Sequence, residues 1–351
     1  MQKSFILFLL LSIVFNGIAQ DSVVAGARQQ LYAKVLQEKR TFSISVPASY
    51  HSKKYTPATY PVLYVLDGET SFEYVAAIVK FLSKGVYAHI PEMIVVGIHN
   101  TNRTRDFTPT QAFINHPEDS TQKLFTESGG NAQFNKFLTT ELIPYIDSLY
   151  RTNGFKIFAG HSFGGLAVTN VLLHYPELFN AYIIHDPSYW WDNSYMLKEA
   201  SKVIPKTNYN QTRVYLAQAE NENKGSFDAH FESIKTFNHI VDSIANPSFA
   251  YQYKFYETED HGTVAVPASF DGLKYIFDGY WADFKKLSTN KEYLTDSYNV
   301  FSKKVNFMFL PPEPKLDFIV NYFKTQKNMN AATEALQLYQ KLYPKTAPTK
   351  L

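Results

Sequence analysis

The chain has 351 residues, enough to bury one large core or two smaller ones. Hydrophobic residues at 45% and charged residues at 19% exclude an intrinsically disordered chain. A net charge of +2 without a basic run argues against nucleic acid as a partner, and the absence of cysteine excludes disulfides and N-terminal lipidation on cysteine.

In chain order, the first segment differs from all that follow. MQKSFILFLLLSIVFNGIAQ has a positive start at Lys3, an apolar stretch over residues 5–15, and small residues at 17 and 19, Gly17 and Ala19. This pattern predicts a signal peptide over residues 1–19, with an apolar stretch too short for a comfortable membrane span. The mature chain is then expected to be secreted or periplasmic, with no membrane anchor after cleavage. Export without disulfides fits a bacterial periplasm.

Residues 40–46 (RTFSISV) alternate as a strand does. Residues 61–66 (PVLYVL) and 92–98 (EMIVVGI) are apolar runs that stop at polar turns, as expected for strands buried on both faces of a parallel sheet. A helical stripe follows: Phe134, Phe137, Leu138, Leu142, Ile146 and Leu149. Then come a strand at 155–159 (FKIFA), a helix at 165–175 stopped by Pro176, and a strand at 181–185 (AYIIH). Strands at 212–219 and 249–256 enclose a helix at 231–244. Such alternation predicts an α/β protein with a mostly parallel central sheet covered by helices, its chemistry at the carboxyl ends of the strands. Residues 20–285 are assigned to this domain. Beyond them, residues 286–351 form a tail, with a helical pair over 316–344 around a break at 325–330.

Gly160-His161-Ser162-Phe163-Gly164 fits G-x-S-x-G between a strand and a helix. In a nucleophile elbow the serine is forced outward on a sharp turn, and the flanking glycines avoid collisions with the adjoining strand and helix. Ser162 is therefore the expected nucleophile. A serine hydroxyl needs a base, and the chain order in such folds is serine, acid, histidine. Of His174, His185, His230, His239 and His261, only His261 follows the last strand, in the polar turn Glu259-Asp260-His261-Gly262. The acid is expected after strand 212–219, where Glu220 and Glu222 both leave the same strand end; Asp228 lies further out. Oxyanion donors are expected from the backbone N–H of Phe163 and, after strand 61–66, of Gly68.

With these residues placed, the chain resembles the esterase branch of the α/β-hydrolases, the group of esterase D and the enterochelin (ferric-siderophore) esterases. The resembling stretches are VLYVLDGE (62–69), PEMIVVGIHNTNRTRDFTPT (91–110), AGHSFGGLAV (159–168), HDPSYWWD (185–192) and EDHGTVAVPASFDGLKYIF (259–277). The resemblance implies ester hydrolysis through an acyl-enzyme, a small-molecule ester substrate of siderophore or acylated-carbohydrate type, and no metal or organic cofactor. It also implies a carboxylate in a G-x-x-E pattern. Ala219 replaces the glycine here, and counting from it places the acid at Glu222. Transfer to an acceptor other than water would use the same residues. The tail is similar, in part, to one tetratricopeptide repeat through Leu316, Ile319, Phe323, Ala332, Leu336 and Pro344, which offers a surface to a protein partner or a face that docks on the domain.

Arg103, Arg105 and Asp106 follow a strand end, where they would either contact an anionic substrate group or anchor the loop by ion pairs. Trp190 and Trp191 follow another; one is expected to reach substrate and the other to be core. A catalytically silent binding protein using the tail is the non-enzyme alternative.

Overall fold

The computed structural model describes residues 24–351 apart from 86, 116–118, 120, 221–227 and 291. Eight strands form one sheet: β1 (Ala27–Ala33), β2 (Glu38–Ser45), β3 (Tyr60–Val65), β4 (Ile94–Ile98), β5 (Thr152–His161), β6 (Ala181–His185), β7 (Thr212–Ala219) and β8 (Phe249–Tyr256). Their spatial order is β1-β2-β4-β3-β5-β6-β7-β8. The β1–β2 and β2–β4 pairs are antiparallel and every other pair is parallel. With helices crossing over between the parallel strands, this is the α/β-hydrolase fold, as the alternation predicted.

The apolar runs went where their composition demands. Every residue of β3, β4, β6 and β7 is buried, because helices cover both faces of the central sheet. Edge strand β8 keeps an alternating exposure. β1, absent from the sequence expectation, is the opposite edge. Its residues ARQQLYA are mostly exposed or half-buried, so it carries little hydrophobic signal.

The helices are α1 (Gly68–Leu82), α2 (Arg103–Phe107), α3 (Asn131–Phe137), α4 (Ile143–Leu149), α5 (Phe163–His174), α6 (Trp191–Val203), α7 (Ala229–Ile244), α8 (Ala265–Ile276), α9 (Phe284–Leu287), α10 (Tyr293–Lys304), α11 (Glu313–Thr325) and α12 (Met329–Leu342). α3 and α4 are joined through a π-helical segment, Leu138–Leu142, so the predicted stripe runs along one interrupted helix. The sheet separates two apolar cores. One takes Phe134, Phe137, Ile146, Val171, Met196 and Phe237 from α3 to α7. The other takes Phe72 and Val79 from α1 and Leu273 from α8.

The tail helices join this second core. Leu316, Ile319 and Phe323 of α11 and Ala332, Leu336 and Tyr339 of α12 are buried in the same cluster as Leu63, Val65 and Phe155 of the sheet. Polar bonds fix the docking: the buried Glu313 carboxylate accepts from Thr56 N–H at 2.7 Å and from Tyr339 O–H at 3.0 Å. Asp317 accepts from Tyr55 O–H at 2.8 Å.

Leu316 is fully buried, so Leu316→Ala is expected to cost about 2–5 kcal/mol in urea unfolding, in one transition with the rest of the chain. A separate early transition would show that α11 and α12 melt alone.

Candidate active site

Ser162 stands between β5 and α5 with φ 59° and ψ −118°, a backbone conformation that disfavours any residue with a side chain and costs about 1–3 kcal/mol. Neighbouring backbone enforces it: Ser162 N–H donates to His185 O at 3.0 Å, and Ser162 O accepts from Ser188 N–H at 3.1 Å. A Cβ on Gly160 would sit 2.5 Å from the Gly164 carbonyl oxygen, and one on Gly165 2.9 Å from Pro187 Cβ. A Cβ on Gly164 would meet nothing closer than Asp67 Oδ2 at 3.3 Å. The steric demand on glycine therefore falls on 160 and 165, rather than on the symmetrical pair 160 and 164 that the motif implied.

The turn Asp260–Thr263 brings His261 over the elbow, with Asp260 Oδ1 accepting from the N–H groups of Gly262 and Thr263 to brace it. His261 Nε2 lies 3.1 Å from Ser162 Oγ, and His261 Nδ1 lies 2.6 Å from Asp186 Oδ2. A carboxylate can only accept, so Nδ1 carries the proton and Nε2 is free to accept from the serine. Asp186 was given no role by the sequence reading. It follows β6 directly, at a strand end as the other site residues do. Of the acids expected on His261, Glu222 lies outside the described residues. Glu220 directly follows β7, and its N–H donates to Glu259 O at 2.9 Å.

Asp186 is buried and fully engaged. Oδ1 accepts from Ala219 N–H at 2.8 Å, and Oδ2 accepts also from His230 Nε2 at 2.8 Å. Burial works to raise its carboxyl pKa, but the bonds from His230 and His261 reverse this and hold it well below the usual carboxylate range. His230, which sequence reasoning placed on a helix without a function, reaches the site from the first turn of α7, where Asp228 caps the helix by accepting from His230 N–H at 2.8 Å. His161 and His185 are bystanders kept neutral. Burial, aided by His261, lowers His161 to about 4; burial, aided by His161, lowers His185 to about 3.

Phe163 and Gly68 open α5 and α1, so their N–H groups belong to the first turns, which have no intrahelical acceptors. The two turns touch: Gly164 faces Asp67 and Leu66, and Gly68 packs so tightly that a Cβ would lie 2.4 Å from Gly97 C. Arg103 ties them together. Its Nε and Nη2 donate to Asp67 at 2.7 and 3.0 Å, and Nη2 donates to His161 O at 3.1 Å. Arg103 is thus a loop anchor in this structure, committed to the turn that ends in Gly68. Arg105 and Asp106 pair with each other and, through Glu38 and the buried Arg40, with β2.

Trp191 is core, its Nε1 donating to Thr110 Oγ1 at 3.1 Å. Trp190 is half-buried against Phe163, with ring centroids 5.9 Å apart. Phe125 closes the group against Phe163 and Trp191 at 5.5 and 5.6 Å. An aromatic wall therefore stands directly beyond the residue that follows Ser162.

The family model described as "Putative esterase" matches residues 33–266, from β1 through the histidine loop to the start of α8. The chain belongs to this esterase family. Among curated relatives, this esterase is 33% identical over 220 residues to the ferri-bacillibactin esterase BesA of Bacillus subtilis, covering 59% of this chain and 74% of that protein. It is 24% identical over 211 residues to the siderophore enterobactin esterase of Emericella nidulans, covering 52% and 68%. Among solved structures, an IroE-like serine hydrolase from Shewanella oneidensis superposes with a TM-score of 0.81 at 30% identity, over 90% of this chain and 99% of that one. No helix among the esterase's described residues is long and apolar enough to cross a membrane.

His161 and His185 link the site to pH. Unfolded, each takes up a proton near pH 6.5; folded, they stay neutral to about 4 and about 3. Between these values the unfolded chain binds more protons, so their contribution is full above about pH 6.5 and is lost as pH falls toward 4. The melting temperature is expected to drop through that window, and His161→Asn to flatten the drop. An unchanged slope in the variant would show that His161 does not drive it.

Proposed function

We propose that the protein is an exported serine esterase that cleaves carboxylic esters through an acyl-enzyme, with a siderophore-type ester as substrate. The observation that carries this reading is the continuous chain of bonds from Ser162 Oγ through His261 to Asp186. In the first half-reaction His261 Nε2 takes the serine proton as Oγ attacks the ester carbonyl, and the resulting imidazolium is stabilised by Asp186. The oxyanion is met by the N–H groups of Phe163 and Gly68, a donor of this kind being worth about 3–4 kcal/mol. His261 then gives its proton to the leaving alcohol. Water deacylates the serine by the same steps in reverse, and no metal or organic cofactor is needed.

The siderophore assignment is supported by the names of BesA and the enterobactin esterase among the relatives. The aromatic wall of Phe163, Trp190 and Phe125 would give a catechol ring of such an ester a stacking surface. Export rests on the pattern of residues 1–19, which lie outside the described residues. The tail is read as a brace for the second core, and its tetratricopeptide-like spacing as a consequence of packing two helices.

Ser162→Ala is expected to abolish both hydrolysis of p-nitrophenyl esters and labelling by a fluorophosphonate probe, with kcat falling by about 10⁴ or more. Labelling that survives in the variant would refute the assignment. Comparing Asp186→Asn with Glu222→Gln decides the acid: a loss of about 10²–10⁴ is expected for Asp186 and under tenfold for Glu222. The reverse order would move the role to Glu222. A panel of siderophore, acetylated-sugar and feruloyl esters then tests the substrate class; preference for either sugar-linked ester would replace the siderophore assignment.

Arg103→Met removes the tie between Asp67 and the elbow. It is expected to lower kcat by about ten- to a hundredfold with little change in KM, because the oxyanion donors move and the substrate surface does not. A rise in KM at constant kcat would instead make Arg103 a substrate contact.

A further inference from the structure

Asp186 binds two imidazoles, and only one of them is needed for proton transfer. One ligand atom from each of Asp186, His230 and His261 lies within 4.8 Å of the others, and Asp186 Oδ2 is bonded to both His230 Nε2 and His261 Nδ1. Asp186 is 3% exposed as a side chain, while His230 and His261 are 24% and 37% exposed. The trio borders a cavity of about 190 Å³ lined also by Glu220, Asp228 and Phe231. Two imidazoles and a carboxylate converging from one side, beside an opening that can admit a water as fourth ligand, form the donor set of a tetrahedral divalent transition-metal site.

We infer that Asp186, His230 and His261 form an inhibitory site for zinc or a similar borderline-soft divalent cation, one that turns the base off by reversing its tautomer. This rests on the serine–histidine reading of the reaction. Bonds of about 2.0–2.1 Å space the ligand atoms of a tetrahedral zinc about 3.3 Å apart. The present separations on Asp186 are 2.6 and 2.8 Å, so His261 must retreat by about 0.7 Å and His230 by about 0.5 Å. His261 sits on a turn and His230 on the first turn of a helix, positions that allow such a shift. The metal takes the lone pair of each bound nitrogen. Each neutral imidazole then carries its proton on the other nitrogen: Nδ1 of His230 and Nε2 of His261. His261 Nε2 now donates toward Ser162 Oγ instead of accepting from it. The serine keeps its proton, and no base remains. Zinc and the proton on Nδ1 compete for the same nitrogen.

The test uses the purified protein with zinc chloride alone. Hydrolysis of a p-nitrophenyl ester is followed across a zinc series, before and after EDTA, in the wild type and in His230→Gln. The glutamine amide can still donate to Asp186 but is a poor zinc ligand. Each variant is compared with its own zinc-free rate, so any basal effect of the substitution cancels. The wild type is expected to lose activity by tenfold or more at micromolar zinc and to recover fully with EDTA, and His230→Gln to need about tenfold or more zinc for the same loss. Equal sensitivity of the two proteins overturns the site. Calorimetry on Ser162→Ala reads binding without reference to the reaction: one zinc per chain is expected, weakened by adding His230→Gln. Absence of that binding overturns the inference, whereas residual hydrolysis by Ser162→Ala would overturn the serine mechanism and leave the binding result standing.

Discussion

The buried carboxylate of Asp186 is the point on which the site depends. A charge taken out of water is tolerated only when its oxygens are fully bonded, and here the partners come from four different segments. Counting the end of β6 that carries the carboxylate, the four are completed by its three partners: the Ala219 N–H at the end of β7, His230 at the start of α7, and His261 on the turn before α8. Parallel pairing of β6 with β7 and of β7 with β8 sets the register of these ends. The sheet thus positions the histidine turn through hydrogen bonds to a single side chain, and the Glu220–Glu259 backbone bond ties the two loops a second time.

On the other side of Ser162 the same role falls to Arg103. Its fork joins the turn after β3 to the end of β5, so two parallel neighbours present the N-termini of α1 and α5 side by side. Asp67 adopts a left-handed conformation at φ 54° to turn its carboxylate toward that fork. One ion pair therefore holds the N-termini of α1 and α5 on one side of Ser162, and one buried carboxylate holds His261 on the other. The strained serine lies between them.

Much of this was legible in the residues. Continuous apolar runs named the buried strands, because a parallel sheet covered on both faces leaves no polar side to alternate with. Strand, G-x-S-x-G and helix in succession named the elbow, and His261 stood out as the histidine beyond the last strand. β1 was not legible, since an exposed edge strand such as ARQQLYA need not be apolar. Asp186 escaped because the acid was sought only after the strand preceding the histidine turn. Which neighbouring strand end faces an imidazole is decided by lateral order in the sheet, and linear spacing does not record that order. His230 escaped for the same reason: nothing in AHFESIKTFNHI distinguishes the histidine that points at a carboxylate from the one at 239.

The docking of α11 and α12 has a mechanical consequence. Asp317 and Glu313 are bonded to residues 54–56, the segment that leads into β3, and β3 ends at the turn carrying Gly68. Tension applied at the C-terminus would therefore pass through α12 and α11 to the segment that precedes β3 and so to the turn that carries Gly68. A tether, surface anchor or fusion partner placed there would pull on that turn through the tail helices and β3. At the opposite edge β1 contacts only β2 within the sheet, so a load applied to β1 would enter the sheet with two strands, β2 and β4, between it and β3.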